Sequence, residues 1–459
     1  MSNAKFNAFK NYVNGKNISV VGIGISNLPL IRFLCSNGAN VTACDKKTEE
    51  QLGETAAGLK ELGVKLNCGE AYLENLSGEI IFKTPGMRFD LPALEKARNN
   101  GSIVTSEMEV FFEVCPAKII AVTGSDGKTT TTTLIHKILT QSGHRCHLGG
   151  NIGTPLLCST DDISGDDIVV LELSSFQLHT MKKSAGVAVV TNITPNHLDM
   201  HKSYEEYIDA KRNIYLHADK NSILVVNKTN EKSFECKNTA KGTVRIFGYD
   251  NECDVYSDGK AIFAFGKKLL DTNEIKIPGE HNIQNYMTAI AATYPLYTED
   301  AVKEVARTFG GVEHRIEFVR EVDGVRYYNS SIDSSPNRTI NTLKVFDKVI
   351  LITGGKDKGI PYDAIGESLA KKTKHIVLIG KTGPLIKDAL NKYVSKTGIG
   401  KDIKTQFCTT YEEAVDAARK VACEGDIVLL SNASTSFDMF KNFEERGNLF
   451  KNIVNNLKD

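Results

Sequence analysis

Apolar and polar positions along the chain follow two alternating rhythms. Short, β-branched, almost wholly apolar runs occur at 18–21, 80–82, 119–122, 168–171, 187–190, 349–352, 376–379 and 428–430. Runs of that length and apolarity predict strands covered on both faces. Helical stripes fall between them. Leu134, Ile135, Ile138 and Leu139 share one face of a helix over 129–139, and Tyr204, Tyr207, Ile208, Ile214 and Tyr215 share one over 204–218. Residues 436–447 read as an amphipathic helix stopped by Gly447. Strand, turn and helix in repetition predict an α/β chain of mostly parallel open sheets. A length of 459 residues suggests about three domains. Breaks near Cys115-Pro116 and Gly310-Gly311 divide the chain into 1–115, 116–310 and 311–459.

Composition narrows the partners. Hydrophobic content of 41% and charged content of 24% are those of an ordinary globular protein. A formal net charge of zero argues against nucleic acid or an acidic membrane as principal partner. No apolar run approaches a membrane span, and residues 1–17 lack the apolar core of an export signal. Ten cysteines without a Cys-x-x-Cys pair fit a reducing cytoplasm rather than a zinc site or disulfide framework.

The densest chemistry lies at Thr123-Gly124-Ser125-Asp126-Gly127-Lys128-Thr129-Thr130, between a strand and a helix. Glycines let successive N–H groups turn inward, and the helix start adds partial positive charge, so a polyphosphate fits there. Lys128 would reach its terminal phosphates and Thr129 would hold Mg²⁺. The loop is a shortened variant, with Val122 at the usual first glycine. Glu172 ends an apolar run and is either a metal ligand beside that loop or an outward-facing edge residue. His197 lies just past a strand and is either a metal ligand or a structural histidine. Lys211 falls on the apolar stripe of its helix. It is either a buried amine of low proton affinity, able to form a carbamate with CO₂, or a lysine whose stem snorkels to water. Asn282 and Asn285, at i and i+3, could read a base or cap their helix. Gly22-Ile23-Gly24 followed by Asp45 imitates a dinucleotide fingerprint, but Asn27 replaces its third glycine.

Together these motifs resemble the Mur ligase family over essentially the whole chain. The stretches that carry the likeness are Thr-Gly-Ser-Asp-Gly-Lys-Thr-Thr-Thr, Gly-Gly-Asn-Ile-Gly, Leu-Glu-Leu-Ser-Ser-Phe-Gln-Leu, Asn-His-Leu-Asp and Gly-Val-Glu-His-Arg, in that order. Gly-Ile-Gly-Ile-Ser and Ser-Phe-Asp-Met-Phe-Lys-Asn-Phe-Glu-Glu-Arg-Gly place it nearest the members that add D-glutamate to UDP-N-acetylmuramoyl-L-alanine. The resemblance implies an N-terminal Rossmann-like domain for the UDP-sugar, a central P-loop ATPase-like domain and a C-terminal Rossmann-like domain for the amino acid. It implies a monomeric, cytoplasmic amide ligase using ATP and two Mg²⁺, with Lys211 carbamylated. Gly124, Ser125, Gly127, Lys128, Thr129, Thr130, Asn282, Asn285 and Arg315 would bind ATP. Thr129, Glu172, His197 and Lys211 would hold metal, and Lys128, Glu172, His197 and Lys211 would form the catalytic set. Ser26, Asp45, Lys47 and Gly86 would cradle the uridine nucleotide, with Asn151, Ser174 and Gln177 at the muramoyl-alanine end. Lys358, Ser436 and Phe443 would take D-glutamate. The chain departs from the family's Asn-Asp-Ser-Lys at Asn329-Ser330-Ser331-Ile332, leaving Asp333 as a stand-in for the lost nucleotide contact. A nicotinamide oxidoreductase, a related ligase of other amino-acid or folate specificity, and a non-catalytic ATP switch are the competing readings.

Overall fold

The computed structural model describes residues 3–24, 26–196, 200–357, 359–436 and 439–458. It separates into two compact units. One runs to Ile275 and includes Glu280–Arg307; the other holds Lys276–Gly279 and the chain from Thr308 onward.

The first unit carries two sheets. Strands β1 (Asn17–Val21), β2 (Asn40–Asp45), β3 (Lys65–Cys68), β4 (Ile80–Lys83) and β5 (Ile103–Thr105) form a parallel sheet of order β3-β2-β1-β4-β5. Its order reverses at β1, so the ends of β1 and β4 flank the crevice where such sheets bind ligands. The second sheet contains β6 (Lys118–Thr123), β7 (Cys146–Gly150), β8 (Ile168–Glu172), β9 (Val187–Val190), β10 (Ile223–Asn227), β11 (Thr243–Gly248), β12 (Val255–Ser257), β13 (Ala261–Ala264) and β14 (Lys267–Asp271). Its order is β14-β13-β12-β11-β10-β9-β6-β8-β7, parallel except where β13 meets β12 and β14. β6 lies between β8 and β9, and Val122 is in register with both Glu172 and Val189. One continuous core serves both sheets, from Phe6, Phe82 and Phe111 to Leu157, Leu171 and Tyr207.

In the second unit, β15 (Glu317–Val322), β16 (Val325–Asn329), β17 (Val349–Gly354), β18 (Thr373–Ile379), β19 (Lys404–Cys408) and β20 (Ile427–Leu430) are ordered β15-β16-β20-β17-β18-β19. Among these strand pairs the β15–β16 hairpin is antiparallel and the others are parallel. Ile350 and Ile352 join one apolar cluster and Val349 and Leu351 the other, which explains why the run reads as apolar at every position.

One helix differs from its sequence expectation. The last helix is Phe443–Asn455, capped by Asn442 accepting the Glu445 N–H, and it runs through Gly447 rather than stopping there. A Cβ at position 447 would lie 2.2 Å from His314 Nδ1, so this glycine serves close approach, not termination. All ten cysteines are free. Among the described residues no helix is long and apolar enough to cross a membrane.

Candidate active site

The end of β6 turns at Gly124 and enters the helix Lys128–Gln141, with Gly127 as its N-cap. Gly124 has φ +154°, and a Cβ there would stand 1.9 Å from Thr191 Oγ1, so only glycine fits. The segment after β9 clasps the loop. The Ser125 N–H donates to the Asn192 carbonyl, the Asp126 N–H to Asn192 Oδ1, and Thr191 Oγ1 to the Asp126 carbonyl. Ser125 Oγ lies 2.9 Å from the Tyr207 hydroxyl. Burial pushes that phenol up to about 12, keeping it protonated and able to donate. Lys128 folds back on its own loop, its Nζ donating to the carbonyls of Gly124 and Ser125 at 2.9 and 3.0 Å. These are the carbonyls a phosphate would compete with for the ammonium.

Glu172 is 2% exposed at the end of β8. Its Oε1 accepts from Asn151 Nδ2 at 2.9 Å, while Oε2 is buried with no hydrogen-bond partner among the described residues. A buried carboxylate oxygen left open beside a phosphate loop suits a hard divalent cation, which takes oxygen ligands. The edge-strand alternative for Glu172 therefore fails. The snorkelling alternative for Lys211 fails too, since the residue is 1% exposed. Its Nζ donates to the Gly124 carbonyl at 2.7 Å and sits 4.6 Å over the Tyr207 ring. Burial and the neighbouring Lys128 push its amine well below the ordinary lysine range, against the pull of Glu172 and Asp126. His197 lies outside the described residues. Among the described residues no three His, Cys, Asp or Glu side chains gather as a metal cluster.

Asn285 comes to the phosphate-loop helix, accepting from Thr131 Oγ1 at 3.3 Å and donating to Asn282 Oδ1 at 2.9 Å. Thr129 is buried at the first turn of that helix, beside the less covered Thr130. Asp45 turns back on the glycine turn of the first sheet, its carboxylate accepting the N–H groups of Ile23 and Lys47. Asn27, in place of the third fingerprint glycine, ties the Val21 and Gly22 carbonyls through its amide. Ser26 is half-buried, whereas Lys47 and Gly86 are exposed. Ser174 and Gln177 bond one another in the capping box of the short helix Ser175–Leu178.

In the second unit Arg315 lies in the tight turn that Val312 closes. Ser436 is buried and Phe443 half-buried, whereas Lys358 is outside the described residues. Asp333, the expected stand-in for the nucleotide contact, is turned to hydroxyls of its own unit. It is 5% exposed and accepts from Thr342 Oγ1 and Ser431 Oγ, both at 2.7 Å, so its carboxylate serves the interior.

Sequence reasoning missed two features. The Tyr207 hydroxyl, counted as part of an apolar stripe, reaches Ser125. Arg88 spans Asp90 and Glu206 and donates to the Met200 carbonyl at 2.6 Å, tying the loop after β4 to the segment ahead of the helix Tyr204–Leu216. Glu206 is lowered to about 2, first by the hydrogen bond from Arg88. No local motif marks either pairing, since the partners stand 82 and 118 positions apart.

A parallel-sheet phosphate-loop protein with a buried acid and a buried amine beside the loop is the class these features define. The comparisons with known proteins make it specific. Residues 16–106 match the Mur ligase MurD-like N-terminal domain, 122–293 the Mur ligase middle domain, and 314–433 the Mur ligase glutamate ligase domain. UDP-N-acetylmuramoylalanine--D-glutamate ligase of Ruminiclostridium cellulolyticum is 53% identical, covering 99% of this chain and 100% of the relative. Its counterpart in Acetivibrio thermocellus is 52% identical over the same shares. UDP-N-acetylmuramate-alanine ligase of Thermotoga maritima shares the fold, with a TM-score of 0.57 at 19% identity over 96% of this chain and 100% of that one. MurF of Acinetobacter baumannii does so at a TM-score of 0.56 and 16% identity, over 83% and 92%. The chain belongs to the Mur ligase family.

Proposed function

We propose that this chain is an ATP-dependent amide ligase that joins D-glutamate to UDP-N-acetylmuramoyl-L-alanine, working as a monomer in the cytoplasm on a peptidoglycan precursor. The observation that carries the chemistry is the buried set around Gly124: Lys128 and Lys211 on its carbonyl, with an open oxygen of Glu172 at the end of the adjoining strand. The names of the half-identical, full-length relatives support the choice of substrates.

In this reading the L-alanyl carboxylate attacks the γ-phosphate of ATP, giving an acyl phosphate and ADP. The D-glutamate amine then attacks the acyl carbon, and the tetrahedral intermediate expels phosphate. Gly124, Gly127 and Thr130 line the phosphate path through backbone N–H groups, with Ser125 in the same loop, and Lys128 leaves its loop carbonyls for the transferring phosphoryl group. Asn282, Asn285 and Arg315 hold the nucleotide. Two Mg²⁺, when bound, would screen the crowded anionic oxygens, with Thr129, Glu172, His197 and Lys211 as their protein ligands. The Lys211 amine, once deprotonated, would add through its lone pair to CO₂ and release a proton, giving a carbamate that is a carboxylate-like ligand. Ser26, Asp45, Lys47 and Gly86 take the uridine nucleotide; Asn151, Ser174 and Gln177 take the muramoyl-alanine end. Lys358, Ser436 and Phe443 receive D-glutamate in the domain 311–459.

Phosphate release measured against a panel of amino acids tests the proposal. Release should require both the sugar nucleotide and D-glutamate. Slow release indifferent to both would leave a nucleotide switch, and preference for another amino acid would make this a different ligase.

A further inference from the structure

The side chain of Arg446 is 1% exposed, on the last helix of the second unit. Its guanidinium holds two separate segments. Nε donates to Ser331 Oγ at 2.9 Å and Nη2 to the Ser331 carbonyl at 2.6 Å, while Nη1 donates to the Ser434 carbonyl at 3.1 Å. Both segments lead to the places expected to receive the amino acid. Ser331 Oγ in turn donates a hydrogen bond to the Phe443 carbonyl at 2.7 Å. Ser434 is also fixed through Oγ, against the Tyr362 hydroxyl and Thr382 Oγ1. Thr435, next in the chain, bridges to Lys356, accepting its N–H at 2.9 Å. Thr435 directly precedes Ser436. The neighbouring Gly447 seats the same helix against His314, whose carbonyl accepts the Ile332 N–H.

We infer that Arg446 is a positioning residue for the amino-acid step: by clamping Ser331 to Ser434 it sets the mutual placement of the segments bearing Phe443 and Ser436. The inference rests on the ligase reading and deepens it. The planar fork reaches a hydroxyl and two carbonyls at once, which a lysine ammonium on a single point cannot reproduce. Because the group is buried and charged, its removal also has a stability cost, so activity alone would not separate positioning from folding.

The test measures initial rates of phosphate release for the full chain, for Arg446→Lys and for Ser331→Ala. D-glutamate and ATP are varied separately, and thermal unfolding is followed alongside. Ser331→Ala leaves the guanidinium on both carbonyls, so it decides the matter if Arg446→Lys does not fold. The expected result is a D-glutamate KM raised about five- to tenfold, as for one lost positioning hydrogen bond, with the ATP KM within about twofold of the parent. A D-glutamate KM unchanged in folded Ser331→Ala, or both KM values rising together, would overturn the inference alone. A parent protein whose phosphate release ignores D-glutamate would overturn the ligase reading and this inference with it.

Discussion

Lys211 concentrates the chemistry of the site in one side chain. Its amine donates to the Gly124 carbonyl and to Thr123 Oγ1 and sits over the Tyr207 ring, and burial holds its proton affinity well below the ordinary lysine range. A neutral amine is a nucleophile toward CO₂, whereas an ammonium is not. Lys211→Ala should therefore lose nearly all turnover, with part restored by short carboxylic acids that supply the missing anion. Full activity in that variant would sink the carbamate reading. Gly124 makes a backbone demand of similar force. Gly124→Ala places a methyl 1.9 Å from Thr191 Oγ1 at a φ that L-residues avoid. The loop must shift, so ATP binding should weaken at least about tenfold, with a stability loss of about 1–3 kcal/mol. Titration with a fluorescent ATP analogue, together with denaturant unfolding, measures both. Unaltered binding would mean that the loop has slack the packing does not suggest.

Glu107 opens the helix Glu107–Val114 and is buried, its Oε1 accepting the Leu157 N–H at 2.9 Å. The bond ties that helix to the short segment Leu157–Asp162, which lies between β7 and β8 in the chain. Burial pushes this carboxyl from its ordinary 4.5 up to about 7, against the pull of the Leu157 bond. The folded chain then holds a proton that the unfolded chain has released, so stability falls as pH rises between these two values and levels off above them. Glu107→Gln keeps an acceptor for Leu157 and cannot ionise. It should flatten this slope and be more stable than the parent near pH 8, by up to roughly 3 kcal/mol. Denaturant titrations near pH 5 and pH 8 on both proteins decide it; equal slopes would show that the folded chain carries the carboxylate charged. Nothing at Glu107 is visible in a pattern of residues, since its partner lies 50 positions away. The strands and the phosphate loop were legible because they are local: an apolar run, a glycine turn and a helical stripe each fit within some 15 residues. What was not legible depends on distant neighbours. Gly447 looked like a stop because His314, which excludes its side chain, comes 133 residues earlier in the chain. Asp333 looked available because its three hydroxyl neighbours, on Ser330, Ser431 and Thr342, meet it only in the folded interior.

At the scale of the whole molecule, the candidate ATP contacts at Gly124, Lys128 and Thr129 belong to one compact unit, and Ser436 and Phe443 to the other. The proposed amide formation needs the reacting atoms within about 3–3.5 Å of each other. The chain passes between the units at 275/276, at 279/280 and at 307/308. A hinge confined to the break at Gly310-Gly311 would leave the excursion Lys276–Gly279 to resist it. That excursion is anchored on the second unit's side, with Lys276 Nζ 5.0 Å over the Phe318 ring. Any rotation must therefore be absorbed at all three passages, in the few residues at element ends where backbone angles can change. Closure by such a motion predicts a smaller radius of gyration in small-angle scattering once a non-hydrolysable ATP analogue and the sugar nucleotide are both present. D-Glutamate alone should leave the curve as it is. Replacing Phe318 by Ala frees Lys276 and should make the unliganded chain sample a wider range of dimensions without abolishing the ligand-induced decrease. Curves that superimpose with and without the two ligands would mean that the reacting arrangement already exists in the free protein and that no closure accompanies the reaction.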